Sequence, residues 1–449
     1  MKKDFSEGSV PRIILSQALP LMLAQLVQLM YNVVDRVYIG HINGGDSTAL
    51  TGVGLTFPII TFIVAFAALF GMGGVPLFSI SEGAGKNDRA ERILGCSCAM
   101  LLIGAGVLCA VGWTFARPIL FTLGADKTSV VYALKYLRVY LAGTFFSMLT
   151  TGLNGYISAQ GFPRISMLTI VIGALLNMVL DPIFIFLLGM GVSGAAAATV
   201  ISQMVSALWI LRFLTSDKAK LRLKRSNIRL DLQLCSSICK LGTSNFVMQG
   251  TACLVQAVCN STLQQFGGNL YVGIMTVLNS VRDVFMLPIS GLVSGAQPVM
   301  GFNYGAKKYD RVRAAIRFNT LAGAVYTVAA WLTIVIFPSF WFGIFSAADM
   351  LSAGTHAIKV YFFGFVFMSF QFAGQSTFQA LGHAKEAIFF SLLRKAIIVV
   401  PLTLILPRAG LGVNGVFIAE PISNAIGGLA SYITMRNTVY KKLTAEQPQ

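Results

Sequence analysis

The stretch SEGAGKNDRAER at residues 81–92 returns, altered, as YGAKKYDRVR at 304–313. At an offset of 222, Gly83, Ala84, Lys86, Asp88 and Arg89 fall on Gly305, Ala306, Lys308, Asp310 and Arg311, and Pro76 falls on Pro298. At an offset of 221, Gly189, Gly191, Val192, Gly194 and Ser202 fall on Gly410, Gly412, Val413, Gly415 and Ser423, and Gln28 falls on Gln249. The chain is therefore one unit used twice. In an apolar protein of this length, that pattern points to a transporter whose path runs between the two halves.

Composition supports a membrane protein. Hydrophobic residues make up 55% of the chain and charged residues 11%, whereas a soluble domain is about 25% charged. Apolar stretches long enough to cross hydrocarbon as helices fall at 13–39, 51–80, 93–116, 133–158, 165–188, 192–214, 236–263, 272–302, 314–337, 356–380, 387–406 and 411–434. The expected fold is all-α, with twelve spans in two six-helix lobes. An even number per half gives both halves one orientation, related by a pseudo-two-fold axis along the membrane normal. The domains read as an N-lobe at 1–214, a basic linker at 215–235 and a C-lobe at 236–449.

The net charge of +17 does not indicate nucleic acid, because it follows the membrane sides. Arg12, Lys86, Arg89, Arg92, Arg164, the linker cations, Lys307, Lys308, Arg311, Lys385 and Arg436 lie on one side of this topology; the other side has Arg117, Lys127 and Arg408. The positive-inside rule then puts both termini in the cytoplasm. The linker TSDKAKLRLKRSNIRLDLQLC (215–235) reads first as a solvated basic connection that lets the lobes tilt, and second as a binding site for anionic lipid headgroups.

Other chemistries find little support. The first apolar run carries Asp35-Arg36 where a removable signal would have small residues. Cys96-x-Cys98 and Cys235-x3-Cys239 have no His partners at zinc spacing. No Walker loop is present, since GAGK at 83–86 is too short, so ATP is not the expected energy source. The isolated histidines give no enzyme signature, and no cofactor is expected.

Ionisable groups within the spans carry more information. Such a group costs about 2.5–3.5 kcal/mol at mid-membrane and persists where it is paired, wet or functional. Asp35 in span one and Asp181 in span five lie at similar depth in the outer half. Asn177 is four residues before Asp181, on the same helix face, and Thr199 enters from span six at matching depth. These four residues make a candidate pocket for coupling H⁺ or Na⁺, because two carboxylates in a low-dielectric site cannot both stay ionised cheaply. The competing reading, neutralisation of Asp35 by Arg36, suffers because adjacent helical residues point about 100° apart. The repeat puts Gln256, Leu402 and Glu420 at the places of Asp35, Asp181 and Thr199, so the site is not copied in the second half. That half has Arg282, Asp283, Arg394, Lys395 and Glu420, which read as a compensated network or a second coupling site. Gln28, Tyr31, Tyr136, Tyr140, Asn154 and Gln249, with the abundant Phe and Met, are candidates to line a central cavity for bulky amphipathic cations.

These residues resemble the MATE (multidrug and toxic compound extrusion) family over about 11–435. The resemblance is carried by QLMYNVVDRVYIG (28–40), SEGAGKNDRAER (81–92), NGYISAQGFPR (154–164), NMVLDPIFIF (177–186), GVSGAAAATVISQ (191–203), GAQPVMGFNYGAKKYDRVR (295–313) and GVNGVFIAEPISN (412–424). The GAQPVMGFNYGAK stretch is similar to the bacterial multidrug-efflux branch. The resemblance implies two six-helix bundles in a V around a central cavity, and a monomer in the bacterial plasma membrane. It also implies export of drugs, organic cations among them, against influx of H⁺ or Na⁺. The family's cation site maps onto Asp35, Asn177, Asp181 and Thr199, with Tyr136 adjacent and Gln28 and Asn154 facing substrate. Some Na⁺-coupled members carry acidic residues in helices seven and ten; here those helices have Gln249, Gln256, Gln371, Gln375 and Gln379, which favours H⁺. Two other classes remain open. A lipid-linked precursor flippase of the wider superfamily would use Arg282, Arg394 and Lys395, and a passive channel would need a continuous polar lane.

Overall fold

The structure is a computed structural model that describes residues 5–42, 47–344 and 350–445. The expected cytoplasmic termini lie partly outside the described residues. All regular structure among the described residues is helical. Ten helices are long and apolar enough to cross a membrane. One of them, Leu232–Gly305, reverses its backbone at Gly268 (φ 68°) and comprises two spans. A twelfth consists of Ser129–Ala142 and Thr144–Ala159, which meet at Gly143.

In chain order the spans are α1 (Val10–Gly40), α2 (Thr51–Gly83), α3 (Asn87–Thr122), α4 (the broken pair at Gly143), α5 (Pro163–Leu187) and α6 (Val192–Thr215). The second set is α7 and α8 (the two parts of Leu232–Gly305), α9 (Tyr309–Ile336), α10 (Leu351–Ala380), α11 (Ala384–Leu411) and α12 (Val413–Ala445). Exposed apolar stripes such as Leu321, Val325, Val328 and Leu332 on α9 suit hydrocarbon.

The chain divides into two compact units. The first contains Leu19–Phe246; the second contains Phe5–Ala18 and Val247–Gln449. The divisions fall inside α1 and α7, so each helix's lead-in is counted with the unit that does not hold the rest of it.

Packing inside the first unit relies on small residues, as expected where apolar surfaces gain little from leaving lipid. A methyl group added at Gly71 would run into the backbone of Gly152, and one at Gly242 into Leu69. Tyr156 is fully buried and its hydroxyl meets Ser97 at 2.6 Å.

The linker keeps its cations exposed, as a solvated connection does, and is also fixed to the first unit. Its backbone N–H groups at Leu221 and Arg222 donate to Gln160 Oε1 (2.9 Å) and Glu91 Oε1 (3.1 Å). Lys220 pairs with Glu82 at 2.7 Å and Lys224 with Glu91 at 2.5 Å, while Leu221 and Leu223 are buried. The physical reason is that Glu82 and Glu91 are themselves buried and take the linker's charge as compensation. Further along, Cys96 and Cys235 approach to 3.4 Å between sulfurs.

Two outcomes follow from this packing. Gly71→Ala is expected to destabilise the protein by about 1–3 kcal/mol through overpacking, whereas Gly54→Ala, with open space at its Cα, changes little; thermal unfolding of the solubilised protein compares them. A mild thiol oxidant is expected to join Cys96 to Cys235, seen by peptide mass mapping. Recovery of both as free thiols under oxidant would contradict docking of the α7 lead-in on the first unit.

Candidate functional site

Asp181 sits where α5 loses its regular geometry. The α-helical part ends at Pro182, and Ile183–Leu187 forms a wide π-helical turn. Proline removes one backbone hydrogen bond, and the π turn re-spaces those that follow. Asp181 is fully buried at this junction, and Asp35 is 7% exposed. Their carboxyl groups are within hydrogen-bonding reach of each other. Oδ1 of each has no other hydrogen-bond partner. Two carboxyls in such contact are held by a shared proton or by a cation, since two bare charges at that separation repel.

Asn177 and Thr199 complete the cluster as their spacing predicted. With the amide assigned from its neighbours, Asn177 donates to Asp181 Oδ2 at 2.7 Å and accepts from the Thr199 hydroxyl and backbone N–H, each at 3.1 Å. Tyr31 and Tyr136 share the cavity wall with Thr199. Arg36 instead lies over the Phe57 ring, 5.2 Å from its centroid, and forms no ion pair with Asp35 among the described residues.

The cluster opens onto a cavity of about 550 Å³ whose wall includes Gln28, Tyr31, Asp35, Tyr136, Tyr140, Asn177, Thr199 and Gln203. All belong to the first unit. Tyr136 and Tyr140 stack with their rings 6.4 Å apart, and Tyr140 reaches Ser147 at 3.1 Å. Gln28, Tyr31 and Tyr136 line this first-unit cavity. Asn154 is outside its wall, and its amide donates to the Ser166 carbonyl at 3.2 Å. Gln249 belongs to the second unit and lines neither that unit's charged cavity nor this one. The residues that sequence reasoning left out are Ser147 and Gln203; Gln203 closes the GVSGAAAATVISQ motif, which was the available signal.

The second unit gathers its charges at one place. Lys395 Nζ and Arg394 Nη1 both meet Glu420 Oε1, at 2.8 and 3.3 Å. Arg394 also donates to Asn424 Oδ1 at 2.7 Å. Arg282 donates to the Tyr361 hydroxyl at 2.9 Å and to Asp283 at 3.3 Å. Both cations lie in a π-helical stretch, Leu393–Val399. Asn279 and Asn424 were also left out of the sequence reading, although their spacing from Arg282 and Glu420 puts each on a shared helix face. Gln371, Gln375 and Ser391 form a neutral relay, Gln371 Nε2 donating to Gln375 at 2.9 Å and Gln375 Nε2 to Ser391 at 2.6 Å.

Removal of the Asn177 bridge is expected to cost about 1–3 kcal/mol, because Asp181 and Thr199 lose a buried partner. Asn177→Ala should therefore melt several degrees below the parent, and Tyr140→Phe should lie closer to it. Equal melting temperatures for Asn177→Ala and the parent would rule out the bridge.

Comparison with known proteins agrees with this architecture. The chain is 24% identical to the multidrug export protein MepA of Staphylococcus aureus (strain MSSA476) over 430 residues, 96% of this chain and 94% of that one. It is 24% identical to the protein of the same name from Staphylococcus haemolyticus, over 88% and 87% of the two chains. Among solved structures, an outward-facing multidrug resistance MATE family transporter of the MOP superfamily superposes with a TM-score of 0.90 at 25% identity, covering 98% of both chains. A MOP superfamily transporter from Pyrococcus furiosus reaches 0.91 at 24% identity, covering 99% and 98%. A model of the MatE family matches residues 20–183 and 246–405, more than half of the sequence, and the chain belongs to that family of multi-pass membrane transporters.

Proposed function

We propose that this chain is a multidrug efflux antiporter of a bacterial plasma membrane, exporting organic cations in exchange for protons bound between Asp35 and Asp181. The observation that carries the reading is the contact between two buried carboxyls beside a cavity lined by phenols and amides. The names of the staphylococcal relatives support drug export. The asymmetry of basic residues supports an inner, cytoplasmic position for the linker end. H⁺ is favoured over Na⁺ because helices seven and ten have Gln249, Gln256, Gln371, Gln375 and Gln379 where some Na⁺-coupled members of the family carry acidic residues.

In this scheme the proton arrives from outside and joins the two carboxyls. Loss of one negative charge weakens the site's hold on a cationic drug, and the drug leaves. Deprotonation toward the inside restores the charge. Proton and drug then oppose each other with one reciprocal coupling free energy. Asn177, held by Thr199, orients the pair, and the Pro182 junction is the element that can bend with occupancy.

The test uses purified protein in liposomes, with ethidium as substrate. A pH gradient without Na⁺ is expected to drive ethidium movement, and Asp35→Asn and Asp181→Asn are each expected to reduce it by about tenfold or more while melting as the parent does. That loss corresponds to about 1.4 kcal/mol or more of coupling. Undiminished proton-driven transport in both variants would overturn the site, and movement under a Na⁺ gradient alone would make the same residues a Na⁺ site. The flippase alternative draws on the cations of the second unit; binding of a lipid-linked pyrophosphate with no response to ethidium would favour it.

A further inference from the structure

The second unit contains a cavity of about 260 Å³ with Arg282, Arg394 and Lys395 in its wall. The carboxylates in that wall are Glu420 and Asp283. Their distribution leaves the charge uneven. Glu420 is 7% exposed, and its Oε1 serves both Lys395 and Arg394, themselves 10% and 12% exposed. Asp283 is 63% exposed and touches only the edge of Arg282. The three cations therefore face one buried carboxylate. Tyr361, Gln256 and Asn279 bring no further charge; their hydrogen bonds run among themselves, to Asn260 and to Arg282.

We propose that this cavity is a binding site for a monovalent anion, either a carboxylate with an apolar body or a halide. Buried charge is stable when it is paired, and here an anion in the cavity would complete the pairing. Arginine presents a planar fork that suits a carboxylate, and lysine adds a point charge. The lining also includes the apolar, polarisable Met248, Met275, Met286 and Phe372, which fits the hydrocarbon part of an organic anion. The place in the repeat strengthens the case. Gln256 and Glu420 occupy the positions of Asp35 and Thr199, so each unit opens a cavity at corresponding residues. The first unit's cavity has a carboxyl pair and the second's a surplus of cations.

Equilibrium binding of radiolabelled benzoate, and separately of radiolabelled chloride, to the full chain in nanodiscs with gluconate as background anion tests the proposal. One saturable site per chain is expected for at least one of the two. Loss of a charge-assisted hydrogen bond should weaken it by about tenfold or more in Arg394→Gln and Arg282→Gln. Arg282→Gln leaves both Glu420 pairs intact, so it reports on the site without disturbing that core. Glu420→Gln removes the competing carboxylate and is expected to tighten binding. Binding of benzoate resistant to chloride assigns the site to carboxylates, and displacement by chloride includes halides. Failure of both anions to saturate, or binding indifferent to Arg282→Gln and Glu420→Gln, would overturn the proposal. None of these readouts involves ethidium or a proton gradient, so this result and that for Asp35 and Asp181 stand or fall separately.

Discussion

An ionised side chain inside a membrane bundle needs a partner, and the two units satisfy that need with opposite signs. In the first, Asp35 and Asp181 meet each other, and Asn177, itself held by Thr199, donates to Asp181 Oδ2. In the second, Glu420 holds Lys395 and Arg394. The position of Asp35 is taken there by Gln256, whose amide is tied to Asn260 and Asn279 at 3.0 and 2.9 Å. A neutral amide so bound has no proton to exchange. Duplication supplied two similar frames, and substitution at a few inward positions gave them different ionic chemistry.

The backbone at both clusters is irregular, and this is a condition of the chemistry. Arg394 and Lys395 lie in the π-helical stretch Leu393–Val399, and their long side chains converge on Glu420. At Asp181, the Pro182 junction and the π turn Ile183–Leu187 weaken the regular ladder beside the carboxyl. Irregular backbone at membrane depth is tolerated where it is buried in protein or lines a cavity, and both stretches are next to one. A helix already short of regular hydrogen bonds bends at lower cost when the charge beside it changes.

Much of this arrangement was legible in the sequence, for reasons specific to each feature. The repeat and the spans could be read because a bilayer fixes length and hydropathy. The Asp35, Asn177, Asp181 and Thr199 cluster could be read because depth along a span and the i, i+4 rule fix two coordinates of a side chain. The third coordinate, rotation of each helix about its axis, leaves no mark in one sequence. Asn154, whose amide turns to the Ser166 carbonyl rather than into the first-unit cavity, shows such a rotation. The docking of the linker is hidden in the sequence for a related reason. Its charges signal solvent by composition, and buried Glu82 and Glu91 are ordinary acidic residues of a polar loop until the fold covers them.

The docking of the lead-ins extends the same logic to the basic end of each unit. The 81–92 loop receives the segment before α7 through two carboxylates, Glu82 and Glu91. The matching loop of the second unit receives the segment before α1 with cations. Arg311 donates to the carbonyls of Phe5 (3.0 Å) and Gly8 (2.8 Å), Lys308 to Ser6 (3.0 Å), and Asn303 also to Phe5 (3.0 Å). In the repeat, Glu82 and Glu91 correspond to Tyr304 and Arg313, so the loop keeps its place while its polarity changes. The sign follows what must be held. A basic linker needs carboxylates, whereas backbone carbonyls ahead of a helix need donors. Each lead-in is thus fixed to a loop by charge and hydrogen bonds rather than by apolar burial alone. Because Glu82 and Glu91 are buried, their pairs with the linker hold it more firmly than exposed ion pairs would.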